Sequence, residues 1–143
     1  MIYKNVGALI GKQETLVLAP TATVYYAACG MAQRRVGAVA VLEGDNLIGL
    51  FTERDLLNRV VAAGRDPKSV TLGEIMTRDV VTIRDDRPLV EGLDLMLGNR
   101  FRHLPVLNVA GGLVGVLSCR DVPAVYQLMR ERWHDARLGV EAA

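Results

Sequence analysis

Leu47-Ile48-Gly49-Leu50-Phe51-Thr52-Glu53-Arg54-Asp55 reads as an apolar strand that stops at a hydroxyl residue and continues as a helix. Leu113-Val114-Gly115-Val116-Leu117-Ser118-Cys119-Arg120-Asp121 repeats its glycine, hydroxyl, arginine and aspartate at a constant offset of 66 residues. That period is too long for a short solenoid repeat and fits a duplicated half-domain.

Working outward, Val36–Leu42 is a buried strand, Glu43-Gly44-Asp45-Asn46 a hairpin turn, and Leu47–Phe51 the antiparallel return. Upstream, Leu16-Val17-Leu18 is a brief strand, and Thr21 or Thr23 caps a helix reaching about Arg35, with an apolar stripe of Val24, Ala27, Ala28, Met31 and Ala32. Downstream, a helix from Thr52 to about Ala63 ends at Gly64. The short Asp66-Pro67-Lys68-Ser69 stretch reads as a linker. In the second copy Thr71–Met76 is a helical turn, Val80–Ile83 a strand, and Pro88 to about Arg100 a helix with Leu93, Met96 and Leu97 inward. Leu104–Leu107 and Leu113–Leu117 form its hairpin around Gly111-Gly112, and Ser118 starts a last helix expected to run past Trp133. Each copy is therefore strand, helix, strand, strand, helix, an α+β arrangement. The expected divisions are a lead-in at 1–14, copies at 15–68 and 69–131, and a frayed polar tail from His134 to Ala143.

Half of the 143 residues are hydrophobic, enough for one shared core. With 17 basic and 16 acidic side chains the net charge is +1, so no bulk field points to nucleic acid or to an anionic membrane surface. No run approaches a membrane span, and the N-terminus lacks the pattern of a signal peptide. Cys29 and Cys119 stand singly, which suggests neither zinc nor a disulfide framework, and a cytoplasmic location is expected.

These stretches resemble the cystathionine β-synthase (CBS) domain pair, or Bateman module. Gly49–Asp55, Ile75–Thr82, Arg102-His103-Leu104-Pro105-Val106 and Gly115–Asp121 carry the resemblance, which covers about residues 14 to 130. It implies two tandem half-domains related by pseudo-two-fold symmetry, a homodimer, and regulatory binding of an adenosine-containing ligand such as AMP, ADP or ATP in the cleft between copies. S-adenosylmethionine or NAD shares the same adenosine. Catalysis is not implied. Carried onto this sequence, the ribose-binding aspartates are Asp55 and Asp121, with Thr52 and Ser118 as hydroxyl partners. Adenine would lie against Leu18-Ala19 and Gly37-Ala38 in the first copy, and against Thr82-Ile83 and His103-Leu104-Pro105 in the second. Sites in this family mix the two copies.

The chemistry fits, because one ionised carboxylate can accept from both vicinal hydroxyls of a ribose. Helix N-termini at Thr52 and Ser118, with Arg54 and Arg120 in the first turn, would favour phosphate. Thr-x-x-Asp and Ser-x-x-Asp also match a capping box, in which both side chains serve the helix's own backbone. The residues alone leave both readings open. His103 is either a packed core residue or a ligand contact, and Ala38 at the matching position makes the two copies unequal. Gly7–Gln13 has the wrong spacing for a phosphate loop, and Asp85-Asp86 reads as ordinary helix N-terminal charge rather than a metal site. Tyr25-Tyr26 and Trp133-His134 read as packing or dimer contacts. No nucleophile has a base at a recognisable spacing, so the chain reads as a binding module and not an enzyme. A purely structural or interaction module without a nucleotide is the alternative.

Overall fold

The computed structural model describes residues 2–138. The chain forms two compact units, Glu14–Val81 and the segment up to Gln13 together with Thr82 onward. The boundaries between these units fall at 13/14 and 81/82. The N-terminal residues pack with the second copy, and the residues after the linker pack with the first.

In the first unit, β1 (Val17–Leu18) lies parallel to β2 (Ala38–Glu43), which pairs antiparallel with β3 (Asn46–Thr52). Gly44 takes the left-handed conformation that the tight hairpin needs. Between β1 and β2 runs α2 (Val24–Arg34), capped where Thr23 Oγ1 accepts from the Tyr26 amide at 3.1 Å. It buries Val24, Ala27 and Met31 against Val39, Val41 and Phe51. Burying each of the larger side chains, Val24 and Met31 among them, contributes about 1.5–3 kcal/mol. Two members of the expected stripe depart from it: Ala28 is half-buried and Ala32 is exposed.

After β3, α3 (Glu53–Asp55) passes directly into a π-helix, Leu56–Val61. The chain returns as α4 (Leu72–Ile75), and Thr77 then covers the open edge of β3. Leu50 N–H donates to Thr77 O at 3.0 Å and Thr77 N–H donates to Leu50 O at 2.9 Å. Glu74 accepts from the Thr71 amide at 2.7 Å and from its hydroxyl at 3.2 Å. The Thr71 backbone bond, then the hydroxyl bond, lower the Glu74 pKa from its ordinary value. A depressed carboxylate stabilises above its unfolded pKa and loses that contribution as pH falls through the folded one. The protection factors of the amides at the start of α4, corrected for the intrinsic pH dependence of exchange, should therefore fall as the pH drops below the ordinary carboxylate range in the parent but not in Glu74→Gln.

In the second unit, Asn5 caps α1 (Val6–Ile10), accepting from the Ala8 amide at 2.8 Å. Val6 N–H and Gly7 N–H reach the carbonyls of Arg87 and Asp85, both at 2.9 Å. The sheet order is β4-β5-β6 with β4 (Ile83–Arg84), β5 (His103–Leu107) and β6 (Leu113–Ser118). The strand expected from Val80 begins only at Ile83, for a physical reason. In the first unit Ala40 N–H donates to Leu16 O at 3.0 Å, extending the parallel ladder. Ala40 faces Leu50 as Pro105 faces Val116, and Pro105 has no N–H to give.

α5 (Leu89–Asn99) buries Leu89, Val90, Leu93 and Met96, while Leu97 is exposed and not inward. Ser118 does not start one continuous helix. A single 3-10 turn, Cys119–Asp121, ends at Val122 in an extended conformation because Pro123 follows, and α6 (Val125–Arg137) begins anew. Tyr126 is buried, its hydroxyl accepting from Tyr3 N–H at 2.5 Å and donating to Tyr3 O at 3.3 Å. Arg130 pairs with Asp94 at 2.9 Å, and His134 approaches the same oxygen at 3.9 Å. His134 to Arg137 are thus helical where a frayed tail was expected, and Gly139–Ala143 lie outside the described residues.

Candidate functional site

The two elbows share a sequence pattern and differ in what their aspartates do. At the first, Thr52 faces Ala38 across the hairpin, and Glu53 N–H donates to Gly37 O at 3.0 Å. Asp55 Oδ2 accepts from the Thr52 amide at 2.9 Å and from its hydroxyl at 3.2 Å, while Asp55 N–H donates to Thr52 Oγ1 at 3.3 Å. This is a closed capping box around a buried carboxylate. Arg59, one turn on, places Nε 3.7 Å from Asp55 Oδ1 and donates through Nη1 to Ile75 O at 3.0 Å. Both oxygens of Asp55 therefore have protein partners. Thr52, Glu53 and Asp55 also spend their amides inside the chain, so the expected phosphate-binding N-terminus is largely satisfied there.

At the second elbow Ser118 faces His103, and Cys119 N–H donates to Arg102 O at 2.9 Å, matching the Glu53–Gly37 bond. Ser118 Oγ accepts from the Arg120 amide at 3.3 Å, not from Asp121. Because Pro123 stops the chain after one turn, the Asp121 side chain does not fold back onto the Ser118 amide. Asp121 is exposed, and among the described residues its carboxylate makes no hydrogen bond or ion pair. A three-residue turn carries no helix macrodipole, so the dipole argument for phosphate at Ser118 does not hold.

The second unit gathers its expected residues at one end of its sheet. Ser118 ends β6 opposite the half-buried His103, and Thr82 leads into Ile83, which starts β4 paired with Val106, the residue after Pro105. Ile83 and Pro105 are buried, Ile83 as a core side chain, so they offer backbone rather than side chain. In the first unit Leu18, facing Val41, matches Ile83 facing Val106, so Leu18-Ala19 corresponds to Ile83-Arg84 and not to Thr82-Ile83. Leu18 is half-buried, Ala19 exposed, Gly37 half-buried and Ala38 buried. Arg54 and Arg120 are exposed at their elbows. Among the described residues no cluster of His, Cys, Asp and Glu could hold a metal, and Asp86 pairs with Arg84. Both cysteines are free thiols, and no helix among the described residues is long and apolar enough to cross a membrane.

Two residues escaped the sequence reading. Arg59 had a local signal, an i,i+4 charge pair with Asp55. Gln13, whose side chain bonds Val116, had none, lying 103 residues away.

The profile of the CBS domain matches residues 7–62 and 72–132. The chain belongs to the CBS domain family. A CBS domain-containing protein of Bacillus subtilis is 32% identical over 118 residues, covering 82% of each chain. An uncharacterised protein of Methanopyrus kandleri is 32% identical over 114 residues, 79% of this chain; the chain spans 58% of that relative. A CBS domain protein from Pyrobaculum aerophilum complexed with AMP has a TM-score of 0.80 at 28% identity, covering 90% of this chain and 98% of that one. The two CBS copies thus account for the two sheets and for the repeated elbows.

Proposed function

We propose that this CBS pair is a regulatory module that binds an adenosine-containing ligand, with AMP, ADP or ATP as the class, and that Asp121 accepts the ribose hydroxyls. The observation that carries this is the contrast between the elbows: Asp121 has an exposed carboxylate without a partner among the described residues, and the Asp55 carboxylate is consumed by its own cap and Arg59. An exposed, unsatisfied acceptor costs the fold nothing and remains available to a ligand. The AMP complex of the Pyrobaculum relative supports the ligand class. The first elbow then serves as a structural cap, and one occupied site per chain is expected. The role is binding and signalling rather than catalysis, with a homodimer as the working assembly.

Thermal unfolding with AMP, ADP, ATP, S-adenosylmethionine and NAD, each near millimolar, tests this. Ligand at about 100 times Kd adds about 2.7 kcal/mol, a shift of several degrees. Stabilisation by an adenine nucleotide is the expected result. No shift with any of the five would favour a module that works through protein contacts alone. Light scattering on the eluting peak checks the assembly, for which twice the 15.6 kDa chain mass is expected.

A further inference from the structure

Each sheet has an outer strand whose edge must be covered, and the two units do this differently. In the first, the edge-facing amide and carbonyl of Leu50 pair with the backbone of Thr77 at 3.0 and 2.9 Å. The matching residue in the second unit is Val116, by its register opposite Pro105. Here no backbone from the described residues pairs with it. The side-chain carboxamide of Gln13 takes the place of a strand residue, accepting from Val116 N–H through Oε1 at 2.8 Å and donating through Nε2 to Val116 O at 3.1 Å. A primary amide carries a donor and an acceptor side by side, so it can close the same two-bond ring that a neighbouring strand would.

The sequence makes room for it. A Cβ on Gly115 would lie 2.7 Å from Ile10 Cγ2 and 2.9 Å from Gln13 Oε1, closer than real contacts allow. Val116 lies two residues before Ser118 on the same outer edge, and the strand runs from it straight into the turn that carries Asp121. Pro123 cuts that turn short, and Asp121 has no cap of its own to fix it. The position of the Asp121 carboxylate is then set largely by where the end of β6 is held.

We propose that Gln13 is a positioning residue for the ligand site: it touches no ligand and fixes the last residues of β6 so that the Asp121 carboxylate meets the ribose. This rests on the adenosine reading above. It also makes the N-terminal segment part of the binding apparatus of the second CBS copy.

The test uses the whole chain and the adenine nucleotide giving the largest thermal shift, titrated calorimetrically beside its 2′-deoxy analogue. Gln13→Met keeps the length and loses both bonds; Gln13→Glu keeps the acceptor and sets a carboxylate against the Val116 carbonyl. Ile10→Val trims the same packing face without touching the amide pair and serves as a stability control. The expected result is a Kd raised about tenfold in both Gln13 variants, the size of one impaired charge-assisted bond. The ratio of deoxy to ribo Kd should fall toward one in those variants, because the misplaced carboxylate no longer senses the hydroxyl. Ile10→Val should retain both affinity and ratio despite a lowered melting temperature. Gln13 variants that keep the parent's Kd and ratio overturn the proposal while leaving the adenosine reading intact. Absence of binding by the parent overturns that reading and this role with it.

Discussion

Asp121→Ala is expected to weaken binding of the adenine nucleotide by more than about a hundredfold and to leave the melting temperature within about a degree of the parent. The first half follows from chemistry, since a carboxylate accepting from two hydroxyls makes two charge-assisted bonds, each worth about 1.5–3 kcal/mol net. The second half follows from structure. Asp121 is exposed and caps nothing, so its removal orphans no buried group. Asp55→Ala should behave in the opposite way. It opens the Thr52–Asp55 box and leaves Arg59 without its carboxylate, so it should cost about 1–2 kcal/mol of stability while nucleotide affinity changes little. Titration calorimetry and thermal melts on the two variants separate these outcomes. A large affinity loss in Asp55→Ala with none in Asp121→Ala would reverse the assignment of the two elbows.

Gly49→Val is expected to destabilise the fold by about 3 kcal/mol, near the upper end of ordinary overpacking. A Cβ at Gly49 would run into the Met76 sulfur, lie 2.8 Å from Met76 Cγ and 3.1 Å from the Thr77 carbonyl. The methionine can swing aside. The Thr77 carbonyl cannot, because it accepts the Leu50 amide that closes the sheet edge. A valine adds two methyls to that conflict, and the melting temperature should drop by roughly 6–12 °C. Gly98→Ala makes a useful opposite: it lies in α5 with nothing within 4 Å of a built Cβ, and should stabilise by about 0.5–1 kcal/mol. Denaturant titration reads both signs. A Gly49→Val protein as stable as the parent would mean that Thr77 does not cover β3 as described.

The elbows, the hairpins and the helices α2 and α5 were legible because their signals are local: alternating apolar strands, glycine at a turn, Thr23 at a helix start. What was not legible depended on partners far away in the chain. The N-terminal helix belongs with the second copy because Val6, Gly7 and Gln13 find their partners at Arg87, Asp85 and Val116, and no pattern in residues 1–14 announces that. The late start of β4 follows from a missing N–H on Pro105, which sits in a different strand. The difference between the two aspartates was visible in principle. Leu56-Leu57-Asn58-Arg59 lets the chain continue as a helix after Asp55 and close its cap, whereas Val122-Pro123 stops it after Asp121. The pattern Ser-x-x-Asp ends at Asp121, two residues short of the proline that decides it.

A calorimetric titration of the unmodified chain with the best-binding nucleotide and its 2′-deoxy analogue tests the ribose contact at Asp121 most directly. The prediction is one ligand per chain and an affinity for the deoxy compound lower by about tenfold or more, the loss of one charge-assisted hydrogen bond. Equal affinities for the two would contradict it.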